Sequence, residues 1–188
     1  MDSGLIDYKM TGSDLAQSLI AFCRQIGLVI SERNLDIGRS MLPGVQIQSG
    51  SIEVDRFGLI HPGDILYAAS CLAICHPSKR ANTSTPLSFK DKQSQTAHSM
   101  AASAWCYAAC LHLKIPPRIV FHDGGYQGQG KWLATSYQGG QYFVLPLLKL
   151  FGMTHDKTSA ESFGALPFPS MTKWIRTDDS FPNISFYC

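Results

Sequence analysis

Cys71 and Cys75 stand four residues apart in the apolar run Ile65 to Cys75, with His76 next in the chain and His98 further on. Side chains at i and i+4 share a helical face. Thiolates joined by imidazole are soft donors that favour zinc in a closed structural site. A simpler reading competes with this. Cysteine is among the residues most often buried and packs as a small hydrophobe, so inert core thiols are the first expectation. A zinc site built from Cys71, Cys75, His76 and His98 is the second. Cys106 and Cys110 repeat the spacing on a face shared with Ser99 and Ser103, where small side chains point to close helix packing. A nucleophilic cysteine needs a histidine or a positive charge nearby to lower its pKa. Nothing next to Cys71 in the sequence supplies one.

A second candidate lies in the glycine-rich string His122-Asp123-Gly124-Gly125-Tyr126-Gln127-Gly128-Gln129-Gly130. His122 and Tyr126 are the residues that would line a cleft, one as an imidazole donor and the other as a hydrogen-bonding wall. The alternative is a tight connection in which His122 pairs with backbone. A phosphate-binding loop is disfavoured, because no Gly-Lys-Ser/Thr ends the string and no strongly apolar strand precedes it. His61, His112 and His155 have no motif around them and are expected on the surface or in loops. Trp105, Trp132 and Trp174 are expected as packing anchors, with Trp132, beside Lys131, the one that could instead face a partner.

These residues need elements to hold them. Ser13 or Asp14 can cap a helix whose apolar positions Leu15, Leu19, Ile20, Phe22, Cys23 and Ile26 recur at helical spacing, and Gly27 can stop it. Val45, Ile47, Ile52 and Val54 alternate with polar residues around Ser49-Gly50, which predicts a short antiparallel hairpin over 45–55. Asp64 is placed to cap a buried helix running from Ile65 until Pro77 ends it. Residues 78–92 are rich in Ser, Thr, Pro and basic side chains, a solvated and mobile loop. A long helix with many alanines follows over 93–114, halted by Pro116-Pro117. Helical segments are expected at 131–137, at 141–151 and, opened by Pro169, at 169–176.

Composition sets the class. The chain has 188 residues, of which 16% are charged and 45% hydrophobic, where soluble domains average about 25% charged. One domain over 1–188, ending in a tail at 177–188, is the expectation. A net charge of +2 argues against nucleic acid and against a polybasic membrane contact. Met1 to Met10 lacks the apolar core of a secretory signal, and no apolar run approaches the roughly 20 residues that span a bilayer. A cytoplasmic protein whose six cysteines stay reduced is expected.

The string His61-Pro62-Gly63-Asp64-Ile65-Leu66-Tyr67-Ala68-Ala69-Ser70-Cys71 resembles an uncharacterised bacterial family of zincin-like proteins. Its members carry Pro-Gly-Asp-Leu-Leu-His-Glu-Ala-Gly-His at this place. Leu42-Pro43-Gly44, the helix from Met100 to Ala109, Phe121-His122 with Gly125-Tyr126, Gly140-Gln141-Tyr142, Pro146-Leu147-Leu148, Gly152-Met153 and Pro169-Ser170-Met171 with Trp174 look like that family in the same order. The resemblance spans roughly residues 13 to 176. It implies an α+β, mostly helical zincin-like domain carrying the small hairpin.

In zincins, two histidines at i and i+4 bind zinc and the glutamate between them takes a proton from the metal-bound water. By position Tyr67 stands for the first histidine, Ala68 for the glutamate, Cys71 for the second histidine and Ser99, or its neighbour His98, for the acidic third ligand. A methyl group accepts no proton, and losing a positioned base removes about 100- to 10,000-fold of rate. The resemblance therefore implies a catalytically inactive protein that binds a protein, a peptide or a small molecule, with no cofactor expected. The competing expectation is a metal-binding protein or hydrolase with a rebuilt Cys/His site.

Overall fold

The computed structural model describes residues 11–36, 42–143 and 145–177. The reading of Met1 to Met10 as lacking a signal and that of 177–188 as a tail, Thr177 apart, fall outside the described residues. The described chain is an α+β arrangement in which helices surround a small mixed sheet.

Helix α1 (Gly12–Gln25) buries Leu15, Leu19, Ile20, Phe22 and Cys23 on one face, and the chain leaves it through Gly27 at φ 95°. Its cap is Thr11, whose Oγ1 accepts from the Asp14 amide, rather than Ser13 or Asp14. The hairpin forms as β2 (Val45–Gln48) and β3 (Ser51–Val54), antiparallel, with Ile47 opposite Ile52. A third strand, β1 (Ile30–Glu32), pairs parallel to β3 and places Ile30 against Ile52. It was not expected, because three residues with a single buried apolar side chain give too short a pattern to register.

Helix α2 (Asp64–Ala73) is buried along nearly its whole length. Gly63 makes this possible: a β-carbon there would stand 2.1 Å from the Ile119 carbonyl oxygen. Gly63 is the N-cap and makes no side-chain bond, so the expectation that Asp64 caps the helix is corrected; its carboxylate is turned toward the 121–126 loop. Helix α4 (Lys92–His112) packs along α2, with Cys106 Sγ donating to Leu66 O, and buries Ala101, Ala102, Ala108 and Ala109.

The stretch 78–92 is not a free loop. It opens with α3 (Pro77–Arg80), and then Thr85 exchanges bonds with the amide and carbonyl of Ile47 while Ser84 accepts from Ser49 N and Thr83 O accepts from Gly50 N. The open edge of β2 is thereby covered, which answers an unpaired strand edge.

Helix α5 (Gly130–Gln138) covers the expected 131–137 with one residue more at each end, and α6 (Leu145–Leu150) lies within the expected 141–151. Helix α7 (Lys157–Phe163) was missed, although Asp156 and Ser159 form a reciprocal capping box and Gly164 closes it at φ 60°. The expected helix over 169–176 is absent. Its backbone donors are taken by other segments: Thr172 N and Lys173 N by Met153 O, and Arg176 N by Ala73 O. Among the described residues, no helix is long and apolar enough to cross a membrane.

Candidate functional site

Two helices and one loop converge on the motif. Asp64, Tyr67, Ala68 and Cys71 follow one face of α2 at helical spacing, α4 supplies Ser99, Ser103 and Cys106, and the chain after Phe121 supplies His122 and Tyr126. Tyr67 stands edge-on to Tyr126 with ring centroids 5.6 Å apart. Ser99 lies beside the Tyr67 hydroxyl, and the Cys71 and Cys106 thiols lie near it. The four positions that the resemblance matches to ligands and base thus lie on two neighbouring helices, and what surrounds them is packing. Ala68 and Cys71 are each 1% exposed.

Their protonation follows from that burial. Desolvation, with the neighbouring Cys106, pushes the Cys71 thiol far up, and desolvation alone carries most of the rise of Cys106 to about 12. The Cys71 thiol, then burial, raises the Tyr67 phenol, and burial raises Tyr126. All four are neutral in any ordinary buffer. A thiolate nucleophile at Cys71 is therefore disfavoured, since reactive cysteines sit in exposed, electropositive places.

The Tyr126 hydroxyl is fully enclosed beside Cys106 without a well-formed hydrogen bond. It points inward, not onto a cleft wall as expected. A buried hydroxyl lacking a partner costs about 1–3 kcal/mol. Tyr126→Phe should therefore leave stability unchanged or raise it by about 1 kcal/mol, read by urea unfolding. A loss above about 1 kcal/mol would show that the hydroxyl is bonded in solution.

The rebuilt metal site does not assemble. Helix α2 ends at Ala73, so Cys75 has left the helical face that Cys71 occupies. The Cys75 thiol donates to His76 O and meets Thr83 Oγ1, each at 3.5 Å. His76 caps α3, its Nδ1 accepting from Ser78 N. His98 lies against the Phe89 ring, and burial lowers it to about 3, holding it neutral. Among the described residues, no group of three or more His, Cys, Asp or Glu side chains is placed to hold a metal ion. Nor do the motif positions suit a zincin-type zinc: a phenol, a methyl, a protonated thiol and a hydroxyl replace its imidazoles and carboxylates.

One polar arrangement stands out in place of the metal centre. His122 Nε2 lies 3.0 Å from Asp64 Oδ1, and the Asp64 side chain is 5% exposed. Burial pushes the Asp64 carboxyl above its ordinary range, while the bond to His122 acts in the opposite direction. His61, in the loop before α2 as expected, stacks on His122 with centroids 3.7 Å apart. His112 ends α4 and is exposed, as expected, while its ring also packs against Phe22 and Trp174. His155 contacts Phe163. Sequence reasoning missed the Asp64–His122–His61 cluster, because 58 residues separate the bonded pair. The signal that could have found it was Asp64 inside Pro-Gly-Asp, read only as a helix cap.

Trp105 is fully buried and Trp174 partly so, but Trp132 is 56% exposed and stacks on Phe143, itself 50% exposed, with the ring planes 9° apart. Trp132 is thus not a core anchor. Searched against known proteins, the chain matches no family model, no curated protein and no solved structure.

Proposed function

We propose that this protein is a catalytically inactive zincin-like domain that acts by binding a protein, peptide or small ligand. The observation that supports the reading is Ala68: the position that the resemblance matches to the proton acceptor is a buried methyl group. Asp64, the nearby carboxylate on the same helix, is engaged by His122 and is not free to replace it. Tyr67, which the resemblance matches to the first ligand, packs edge-on against Tyr126, which supports a site given over to packing. The exposed parallel pair Trp132 and Phe143 offers apolar surface of the kind that marks contact sites. Five buried, free thiols are consistent with a reducing, cytoplasmic setting.

Restoring the motif tests the reading. Tyr67→His, Ala68→Glu, Cys71→His and Ser99→Glu together should create zinc affinity that the native chain lacks, measured as bound metal after dialysis against zinc. A folded quadruple variant that takes up no zinc would overturn the zincin-like assignment. Near-stoichiometric zinc in the native protein, lost on Cys71→Ser, would instead overturn the inactive reading and restore the Cys/His alternative.

A further inference from the structure

The glycine-rich loop after Phe121 meets α2 through the His122–Asp64 contact and the Tyr126–Tyr67 rings, and a ring stack joins it to His61 just before α2. His122 Nε2 meets Asp64 Oδ1 at 3.0 Å. On its face, His122 carries the His61 ring, 3.7 Å away between centroids and within 15° of parallel. The edges of both rings are closed off by the loop, since a β-carbon on Gly124 would stand 3.3 Å from both His122 Nδ1 and His61 Nε2. His122 Nδ1 is buried and has no hydrogen-bond partner. Beyond it the backbone turns left-handed at two non-glycine residues, Tyr126 (φ 53°) and Gln127 (φ 55°). Such conformations persist only where the surroundings hold them.

The charges that reach this cluster are few. Asp64 faces it from α2, and Asp123 neighbours it on the loop itself. From the segment before α2, Asp55 is occupied by the amides of Leu35, Phe57 and Gly58, and Arg56 by Glu32 and Gln17. Behind Tyr126 stand the Tyr67 phenol and the Cys106 thiol, both neutral. One buried carboxylate therefore serves two imidazoles. A single added proton gives a His122–Asp64 ion pair, which suits the geometry. A second proton sets like charges face to face across the stack, where partial burial leaves little water to screen them.

We propose that His61, His122 and Asp64 form an acid-opened latch, closed near neutral pH and released once both imidazoles are charged, freeing loop 122–130 from α2. Histidine is the side chain whose ordinary titration lies in this range. Burial of Asp64 acts in the same sense, because a carboxyl that protonates early removes the only counter-ion on α2 that faces the stack. Release lets Tyr126 and Gln127 relax, and it lifts Tyr126 off Tyr67. The proposal rests on the stack and the pair, and it stands whether or not the domain is an inactive zincin.

Amide hydrogen exchange read by mass spectrometry tests it, after correction for the intrinsic effect of pH. Exchange in peptides covering 121–130 should be on the order of tenfold faster at about pH 5 than at about pH 7.5, with peptides of α4 unchanged. His61→Phe keeps a ring on His122 but removes the second charge, and its ratio should fall to about one. His61→Gln serves the same purpose should the larger ring disturb folding. Equal protection of the loop at both pH values overturns the latch. So does a variant without His61 that keeps the full response, or acceleration spread evenly over loop and core, which would mean global acid unfolding.

Discussion

Gly63→Ala is expected to destabilise the protein by about 3 kcal/mol, a large effect for the addition of one methyl group. Gly63 has ordinary right-handed helical dihedrals (φ −60°, ψ −21°), so alanine meets no backbone strain there and the whole cost comes from space. The added carbon would stand 2.1 Å from Ile119 O, 2.6 Å from Ile119 C and 2.7 Å from Val120 Cα. All three atoms are backbone, so no side chain can rotate away. Either α2 slides along α4, disturbing a core in which Ile65, Leu66 and Leu72 are fully buried, or the 117–121 turn lifts. Both movements carry His122 away from Asp64. At this chain length, thermal unfolding should fall by about 6–12 °C. A loss below about 1 kcal/mol would mean that the 119–120 backbone yields freely, and the close approach would then not be what positions the site.

That close approach shows why the site was less legible than the fold. The hairpin, α2 and α4 each follow from a local period: alternation around Ser49-Gly50, an apolar run ended by Pro77, and an alanine-rich run ended by Pro116-Pro117. Elements that depend on distant partners did not announce themselves. Strand β1 exists because β3 offers it a ladder, and 83–85 is ordered because β2 has an open edge. Residues 169–176 carry a proline-led start that reads as a helix, yet Met153 O and Ala73 O claim their amides. Tertiary hydrogen bonds won over local propensity there.

The motif positions were named one at a time, by resemblance, as stand-ins for ligands and base. What filled their place was not. Tyr126 reaches Tyr67 across 59 residues of sequence, and the shared burial that raises their phenols and thiols is a property of the packed group. The metal reading met a similar obstacle. It took the i, i+4 relation of Cys71 and Cys75 for granted, whereas α2 stops two residues short of Cys75.

Trp105→Ala should be the most damaging single truncation, with a loss of about 4 kcal/mol in urea or guanidinium unfolding. Trp105 heads the fully buried side chains by volume. Its ring meets Phe22 of α1 at 6.1 Å and stands edge-on to Trp174 at 5.4 Å, so three separate chain segments lose contacts at once. Its indole Nε1–H donates to Trp174 O at 2.9 Å, and truncation leaves that carbonyl without its donor. Trp105→Phe separates the two contributions, because it keeps an aromatic ring and removes the donor. A loss of about 1–2 kcal/mol is expected for it. A domain of ordinary stability has about 5–15 kcal/mol to lose, so the alanine variant should sit close to unfolding at 37 °C. The segment 169–177 is also tied to the core by the Thr172 and Lys173 amides on Met153 O, by Thr154 Oγ1 on Ser170 O, and by Arg176, whose amide bonds Ala73 O and whose guanidinium lies 4.1 Å from the Phe151 ring centroid. If Trp105→Ala cost under about 1.5 kcal/mol, the final segment would have to be held by those bonds rather than by the Trp105–Trp174 contact. Hydrogen exchange would tell the cases apart: in Trp105→Ala the Thr172 and Lys173 amides should lose protection, while those of β3 keep it.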